Sequence, residues 1–268
     1  MYIVCVIADN KVVFEFFLNL TMKKNLNFCQ FSYFCSRGND ELIGKYDYVK
    51  EISLSECGED FFSKYDLFIS LHCKQIFPNK LVVNHRCVNI HPGYNPYNRG
   101  WYPHVFSIIN GLPTGVTIHE MDNELDHGKI IVQREVEIFS DETSKDVYEK
   151  LIKTEETLLD EYLENIITGN YESYEPAVEG NINYKKDYFE LCKLNMESVG
   201  TLEEHINLLR ALSHGKKLNA YYFENGRKKF VKIEFGEYGG VQGSSSCYRN
   251  YNLIIGVKSV ITFTEVAA

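Results

Sequence analysis

Two polar residues near the end of an apolar run have the side chains that acyl chemistry needs. Asn89 and His91 are two positions apart in Val88–Pro92, so on an extended segment both side chains point to the same face. Asp126 follows later, in Leu125-Asp126-His127-Gly128. An amide donor, an imidazole and a carboxylate are together the groups that can move an acyl group onto an amine. Asn89, His91 and Asp126 are therefore the candidate catalytic residues.

Each of the three has a distinct candidate role. Asn89 can donate an amide N–H to the oxygen that becomes charged as an amine adds to a carbonyl, and one such donor lowers the barrier by ~3 kcal/mol. His91 suits removal of the amine proton, because its ordinary charge change lies near neutral pH. Asp126 can orient the imidazole, favour its protonated form or help to relay the proton. Whether His91, Asp126 or an ordered water receives the proton first stays open, and no cysteine nucleophile is required.

The elements that must hold these residues are those of an α/β protein. Pro92-Gly93 ends the strand of Asn89 and His91, and open α/β sheets bind ligands at the carboxyl ends of their strands. Strand-like and helical segments alternate, which predicts a parallel sheet with helices on both faces. The strands are predicted at 1–8, 29–35, 46–52, 65–71, 80–83, 87–90, 114–119 and 129–138, and the helices at 11–25, 103–110 and 143–168.

The composition changes after Tyr171, and 174–184 has the sequence of a linker. Beyond it, the pattern predicts a helix at 202–212, capped by Thr201 or by Glu203 in its first turn, and strands at 219–223, 229–235 and 253–263. The sequence thus predicts a catalytic domain at 1–175 and a small α+β module at 176–268.

Charge and composition exclude several classes of function. The 268 residues carry a net charge of −9 and no lysine or arginine block, which argues against a nucleic-acid partner. No apolar run approaches the ~20 residues that cross a membrane, and the start of the chain lacks the basic leader and cleavage site of a signal peptide. The eight cysteines form no C-x-x-C pair. We therefore expect a reduced, cytoplasmic protein without a metal site.

A longer series of motifs points to one family. Asn89-Ile90-His91-Pro92 is followed in order by Tyr97-Asn98-Arg99-Gly100, Gly111, Thr114-Gly115-Val116-Thr117-Ile118-His119, Leu125-Asp126-x-Gly128 and Gln133. In this order and spacing the chain resembles the formyltransferase family. The resemblance implies a Rossmann-like α/β catalytic domain, 10-formyltetrahydrofolate as the formyl donor and a primary amine as the acceptor.

The second part of the chain helps to choose the acceptor. Asn181–Asp187, and Leu208–Gly215 running into Asn219–Tyr222, resemble the bacterial sugar N-formyltransferases. The resemblance implies a homodimer that acts on a dTDP-linked amino-dideoxyhexose destined for lipopolysaccharide. The position of the amine, at carbon 3 or carbon 4, stays open.

Other acceptors and other classes of protein are alternatives to this prediction. Within the family, the acceptor could be UDP-aminoarabinose, methionyl-tRNA or glycinamide ribonucleotide. The acidic charge argues against tRNA, and the extra C-terminal module argues against the compact purine enzyme. A dinucleotide-binding dehydrogenase should have G-x-G-x-x-G after its first strand, but residues 8–14 contain no glycine. An inactive binding protein is disfavoured because all three catalytic groups are present.

The resemblance also places the ligand contacts. The loop after the 65–71 strand and the loop before Asp126 should form the folate pocket, with Leu71, Lys74, Gln75, Ile76, Phe77, Asp122 and Glu124 as its candidate residues.

The nucleotide sugar has its own set of candidates. The planar fork of Arg99 suits a phosphate or a sugar oxygen, and a tyrosine can stack on the thymine ring. The candidates are Tyr94, Arg99, Trp101, Lys186, Arg210, Asn219, Tyr221 and Tyr222. His119 is expected to be structural, and His127 to face solvent.

Overall fold

A computed structural model describes residues 1–237, 252–253 and 259–262. The chain forms two units, each built from three segments. The first unit comprises Met1–Gly100, Pro113–Val136 and Lys150–Ile182. The second comprises Trp101–Leu112, Glu137–Glu149 and the described part of Asn183–Ala268. The predicted domain boundary at residue 175 stays a prediction. The division into units does not follow it, because Trp101–Leu112 and Glu137–Glu149 belong to the second unit.

A seven-stranded sheet forms the centre of the first unit. Its strands are β1 Tyr2–Ala8, β2 Cys29–Ser36, β3 Val49–Ile52, β4 Leu67–Leu71, β5 Cys87–His91, β7 Thr114–Glu120 and β8 Ile130–Val136, and the short β6 Arg99–Gly100 lies outside this sheet. The order is β3-β2-β1-β4-β5-β7-β8. The α/β class is confirmed. The expectation of a parallel sheet holds from β3 to β5, whereas β7 and β8 are antiparallel.

Helices cover this sheet. They are α1 Lys11–Lys23, α2 Asp40–Ile43, α3 Glu59–Phe62, α4 Asn79–Asn84 and the part of α6 Ser144–Thr168 that belongs to the first unit. On one side, α3 and α4 pack Phe62 and Leu81 against Cys5 and Phe68 of the strands. The prediction of a strand at 80–83 was wrong. Pro78 caps α4 there, and the apolar residues of this short segment fit a buried helix turn equally well.

The second unit contains α5 Pro103–Asn110, α7 Lys185–Cys192 and α8 Leu202–Leu212. Gly111 ends α5 with a φ of 67°, which favours glycine. Thr201 and Glu204 form a capping box at the start of α8, which confirms the predicted Thr201 cap. The remaining strands are β9 Ile182–Asn183, β10 Tyr221–Glu224, β11 Arg227–Phe230, β12 Phe235–Glu237, β13 Asn252–Leu253 and β14 Ser259–Thr262. β10 and β11 form a hairpin, and β14 lies between β12 and β13.

Two further features concern the described part of the chain, namely membrane-spanning helices and metal-binding clusters. Within it, no helix is long and apolar enough to cross a membrane, and no cluster of three or more histidine, cysteine or acidic residues could hold a metal ion. Seven of the cysteines are free thiols in this part, while Cys247 lies outside the described residues.

Candidate active site

Asn89 and His91 lie on β5, inside the sheet. All five residues of β5 are buried, because the strand pairs with β4 on one side and β7 on the other. The alternation of the strand turns both side chains toward one face, as predicted. His91 is 5% exposed and Asn89 is 8% exposed. Their polar atoms are therefore held where water has little access.

Asp126 reaches the same place from the loop that joins β7 to β8. Its backbone is left-handed, with a φ of 48°. Asn95 Nδ2 donates to the Asp126 carbonyl oxygen across 2.8 Å, and the Gly100 N–H donates to Asp126 Oδ2 across 3.0 Å. These two hydrogen bonds hold both the backbone and the carboxylate of Asp126.

The glycines of two motifs allow this loop and its strands to pack closely. A Cβ on Gly128 would overlap the backbone carbonyl of Glu120, and a Cβ on Gly115 would overlap the backbone carbonyl of Arg134. Neither carbonyl can move without breaking a β7 or β8 pairing. The glycines in Asp-x-Gly and Gly-Val-Thr-Ile-His are thus required by backbone packing.

The three candidate side chains meet. Asn89 Nδ2 donates to Asp126 Oδ1 across 2.9 Å, and His91 Nδ1 lies 3.6 Å from Asp126 Oδ2. His119, expected to be structural, lies beside them: its Nδ1 is 2.6 Å from the Glu120 carbonyl oxygen. A proton on Nδ1 leaves His119 Nε2 as an acceptor for Asn89 Nδ2, 3.3 Å away.

Burial and charge set the protonation of this group. Burial lowers the pKa of His91 to about 4. The charge of Asp126 raises this pKa, but the effect of burial is larger, and His119 and His72 lower the pKa further. Burial would raise the pKa of Asp126, but the charge of His91, the contact with His119 and the Gly100 N–H lower it to about 2. At neutral pH a neutral imidazole therefore faces a carboxylate.

One nitrogen of His91 is available for a proton. His91 Nε2 is buried and has no hydrogen-bond partner among the described residues. A buried polar atom without a partner is uncommon and points to a ligand or reacting group. An uncharged imidazole with an unoccupied nitrogen is a competent general base.

Side chains fill the position where a dehydrogenase on this type of sheet would bind its cofactor, the crevice between β1 and β4. Asp9 accepts hydrogen bonds there from the Ser36 N–H across 2.8 Å and from the Lys74 N–H across 2.7 Å. The Asp9 N–H donates to the Leu71 carbonyl oxygen across 3.2 Å. The candidate catalytic side chains lie instead at β5, which is the neighbour of β4 in the sheet.

Comparisons with known proteins identify the family. The domain family described as formyl transferase matches residues 62–163, and the family described as N-formyltransferase dimerization C-terminal domain matches residues 187–237. The dTDP-4-amino-4,6-dideoxyglucose formyltransferase of Mycobacterium tuberculosis (strain ATCC 25618 / H37Rv) is 47% identical over 192 residues, which are 71% of this chain and 82% of that protein. The chain belongs to the formyltransferase family.

Two solved structures extend this result. A 4-N formyltransferase from Francisella tularensis is 43% identical to this formyltransferase and superposes with a TM-score of 0.83, covering 87% of this chain and 97% of that chain. A formyltransferase from Anoxybacillus kamchatkensis, in complex with UDP-4,6-dideoxy-4-formamido-L-AltNAc and tetrahydrofolate, is 25% identical with a TM-score of 0.54, covering 70% and 88%. The Rossmann-like fold and the formyltransferase class are thereby established.

The loop after β4 places its candidate folate residues in different environments. Ile76 is 83% exposed, whereas Leu71 and Phe77 are buried in the core. The Gln75 side chain donates to Ser36 Oγ across 3.0 Å and accepts from the Leu54 N–H across 2.8 Å. Lys74 is held through its backbone N–H by Asp9. Hydrogen bonds therefore hold this loop of the formyltransferase in place and leave the Ile76 side chain exposed, while the contacts of the loop with folate stay predictions.

The other candidate wall is exposed. Asp122 accepts from the Glu124 N–H across 2.9 Å, and its second oxygen lies 2.7 Å from His127 Nδ1. The Glu124 side chain is exposed. His127 is 35% exposed at its side chain. An exposed apolar residue on one loop and exposed polar groups on the other are consistent with a pterin, which has an aromatic face and a polar edge.

Arg99 is the most unusual of the predicted substrate residues. It is 7% exposed, yet its Nε and Nη1 have no hydrogen-bond partner in the described structure. The Arg99 N–H donates to the Asn181 carbonyl oxygen across 3.0 Å, and the preceding residue, Asn98, is joined to Asn181 by a reciprocal pair of 2.9 Å hydrogen bonds. This contact joins the motif Tyr97–Gly100 to the motif Asn181–Asp187. The nearby Tyr94 is half-buried, with its ring against Gly115.

The remaining predicted substrate residues belong to the second unit. Arg210 donates from Nη1 to the carbonyl oxygens of Phe139 and Glu142, across 2.9 and 2.8 Å, and Asn219 donates to the Leu212 carbonyl oxygen across 3.0 Å. Both placements favour a structural role for these two residues, and their contacts with substrate stay predictions.

Four aromatic and basic residues complete that set. Lys185 lies 4.9 Å from the centre of the Trp101 ring, Lys186 lies 5.9 Å from the ring of Tyr184, and Lys228 lies 3.7 Å from the ring of Tyr221. Tyr222 is half-buried. Each aromatic ring except Tyr222 thus has a lysine at its face, a cation–π arrangement that orients the ring.

The sequence did not place two histidines at the site. His119 is the direct cross-strand partner of Asn89, but this could be recognised only once β7 was known to pair with β5. His72 follows β4, and its Nε2 lies 2.7 Å from Glu155 Oε1. The only sequence signal for Glu155 was an acidic residue between apolar helix positions.

Proposed function

We propose that this formyltransferase transfers the formyl group of 10-formyltetrahydrofolate to the amine of a dTDP-linked amino-dideoxyhexose. The observation that carries the proposal is the meeting of Asn89, His91 and Asp126 in a buried site. The 47% identity to a dTDP-4-amino-4,6-dideoxyglucose formyltransferase favours this substrate class, with the amine at carbon 4. The products are the formamido sugar nucleotide and tetrahydrofolate.

The proposed chemistry uses each of the three side chains once. The neutral amine adds to the formyl carbon, and Asn89 donates an N–H to the oxygen that becomes negative. Because both donors of Asn89 now face Asp126 and His119, this donation replaces one of those contacts. His91 Nε2 accepts a proton from the amine nitrogen, and Asp126 stabilises the imidazolium that results.

The proton balance closes without a further reactant. One N–H bond of the amine breaks and a C–N bond to the formyl carbon forms. The C–N bond to the donor breaks, and the donor nitrogen takes up one proton. His91 can return the proton it accepted, so its protonation at the end equals that at the start.

The residues of the first unit fit the formyl donor. Bound tetrahydrofolate derivatives supply an activated formyl group on a nitrogen that can leave as an amine. Ile76 would supply apolar contact to the donor, and Asp122 with Glu124 would face its polar edge. The 25% identical formyltransferase whose structure holds tetrahydrofolate supports this class of donor.

We also propose a homodimer, a cytoplasmic location and a role in making a sugar for lipopolysaccharide. The match of residues 187–237 to a dimerization domain supports the dimer. The seven free cysteines of the described residues suit a reducing compartment. The role in lipopolysaccharide follows from the substrate class alone. Sedimentation of the purified chain tests the dimer independently of activity.

An acceptor competition tests the proposed substrate. The purified chain is incubated with 10-formyltetrahydrofolate and an equimolar mixture of dTDP-4-amino-4,6-dideoxyglucose, a dTDP-3-amino sugar and UDP-aminoarabinose. Mass spectrometry then identifies which acceptor gains a formyl group. We expect the dTDP-4-amino sugar to be formylated first. Formylation of the UDP sugar in preference to both dTDP sugars would refute the proposal.

A further inference from the structure

A second imidazole, 12% exposed at its side chain, lies beside the candidate base. His72 directly follows β4, and His91 ends β5. These strands pair in parallel with Leu71 opposite Ile90, so each histidine comes directly after a residue of the last pair in this register. A charge on His72 also lowers the pKa of His91. The protonation of His72 therefore matters to any reaction in which His91 accepts a proton.

The start of α1 fixes one side of this imidazole. Asn10 is the N-cap of α1, and its Oδ1 accepts from the N–H groups of Val12 and Val13 across 3.0 and 3.2 Å. This orients the amide so that Nδ2, a donor, faces His72 Nδ1 at 3.3 Å. A donor facing Nδ1 requires a lone pair there, so the proton of His72 must sit on Nε2.

The other side of the ring faces a buried carboxyl. His72 Nε2 lies 2.7 Å from Glu155 Oε1, and Glu155 is fully buried on α6. Burial raises the pKa of Glu155 and the charge of Glu156 adds to this, while His72 opposes it. Glu155 Oε2 has no hydrogen-bond partner among the described residues. A proton on that oxygen would leave Asn10, His72 and Glu155 all uncharged, which avoids a buried charge.

We propose that Asn10, His72 and Glu155 form a positioning chain that keeps His72 in its neutral Nε2–H tautomer beside His91. An imidazolium at His72 would repel a proton arriving on His91, and the chain prevents it. Among the described residues, the titratable groups that act on His91 are Asp126, His119 and His72. The positioning chain sets the protonation of the third of these, His72. The expected effect on catalysis rests on the proposed function, in which His91 is the base. The tautomer of His72 is inferred from its hydrogen bonds and does not depend on that function.

Nitrogen-15 NMR of histidine-labelled protein tests the tautomer directly. We expect His72, assigned by its loss in His72→Gln, to show a protonated Nε2 and an unprotonated Nδ1 at neutral pH. Asn10→Asp keeps the helix cap but replaces the donor with an acceptor, and it should convert His72 to imidazolium. A wild-type His72 that carries a proton on Nδ1 overturns the proposal.

Kinetics of two matched variants test the consequence. Gln at position 72 can still accept from Asn10 and donate to Glu155, so His72→Gln should keep kcat/KM within about threefold, with the acid limb of its pH profile unmoved. His72→Lys adds a fixed charge, and it should move that limb to lower pH and reduce kcat/KM by about tenfold. Glu155→Gln, which keeps the acceptor, should behave like His72→Gln.

A purely structural role predicts a different pattern. Both His72 variants would then lower the melting temperature and leave the acid limb in place, which overturns the inference. If His72→Lys does not fold, the tautomer measurement still decides. A wild-type chain that formylates no amino sugar would refute the proposed function, while the NMR result would stand apart from it.

Discussion

The side-chain amide of Asn89 bridges Asp126 and His119. Its Nδ2 donates to Asp126 Oδ1 across 2.9 Å and faces His119 Nε2 at 3.3 Å. The three residues come from β5, the loop after β7, and β7 itself. Two acceptors fix the plane of the amide and hence the direction of its N–H groups. The amide is thus held in place before the reaction, and one of these two contacts gives way to the oxygen as its charge develops.

Asn89→Ala removes this donor. We expect kcat to fall by about 10²–10³-fold, with a smaller change in the KM for the amino sugar, because the interaction strengthens only as the oxygen becomes charged. Steady-state kinetics measure this, with the exposed Asn84→Ala as the control. A rise in KM at unchanged kcat would instead place Asn89 in ground-state binding.

Acid should destabilise the protein through His91. Its pKa falls from the ordinary 6.5 to about 4 on folding, so between these values the unfolded chain binds more protons. Stability therefore rises with pH across this window, by on the order of 3 kcal/mol from this one residue. The stabilisation from Asp126, whose pKa is lowered from 3.8 to about 2, is complete above pH 3.8 and is lost only as the pH falls below that value.

Urea unfolding at about pH 4.5 and at about pH 7 checks this window. The wild type should lose more stability on acidification than His91→Gln, because the variant has no group that titrates at that position. Equal losses in the two proteins would show that His91 is not buried in its neutral form.

Gly128→Ala should disrupt the loop that carries Asp126. Its Cβ would overlap the backbone carbonyl of Glu120, and we expect a loss of about 3 kcal/mol in the free energy of unfolding together with a fall in kcat. Gly58→Ala is the control, because a Cβ there meets open space. If both variants melt alike, the close approach is not a constraint.

The two buried arginines should respond in opposite ways. Arg210→Met should lower the free energy of unfolding by about 1–2 kcal/mol, because it removes the donor of two part-buried hydrogen bonds to backbone carbonyl groups, and should leave nucleotide-sugar affinity unchanged. Arg99→Met removes a buried cation whose Nε and Nη1 have no partner. It should weaken that affinity by about tenfold or more with little loss of stability. Thermal melts and calorimetric titrations separate these outcomes, and loss of affinity in Arg210→Met would restore its predicted contact with substrate.

Local sequence patterns were sufficient for most elements. The strand period placed Asn89 and His91 on one face, and the capping box at Thr201 and Glu204 marked the start of α8. The error at 80–83 has a simple cause. The three apolar residues Leu81 to Val83 fit a strand or one helix turn, and only the packing of Leu81 against the strands decides between them.

Long-range pairing limited the prediction of the site. Asp126 was placed with His91 through a family resemblance, since no periodicity connects a strand to a loop so far along the chain. His119 and Glu155 became visible only through the β5–β7 pairing and the burial of α6. The engagement of Arg210 with backbone carbonyls likewise depends on tertiary contacts, which a single charged residue in a helix does not reveal.

The central claim is that Asn89, His91 and Asp126 together formylate an amino sugar. The most direct test is a single-turnover reaction with 10-formyltetrahydrofolate and dTDP-4-amino-4,6-dideoxyglucose, followed by mass spectrometry of the sugar nucleotide, in the wild type and in His91→Asn. The account predicts that the wild-type sugar gains one formyl group and that His91→Asn, folded and still binding both ligands, forms it at least about 10²-fold more slowly. Equal rates in the two proteins would contradict it.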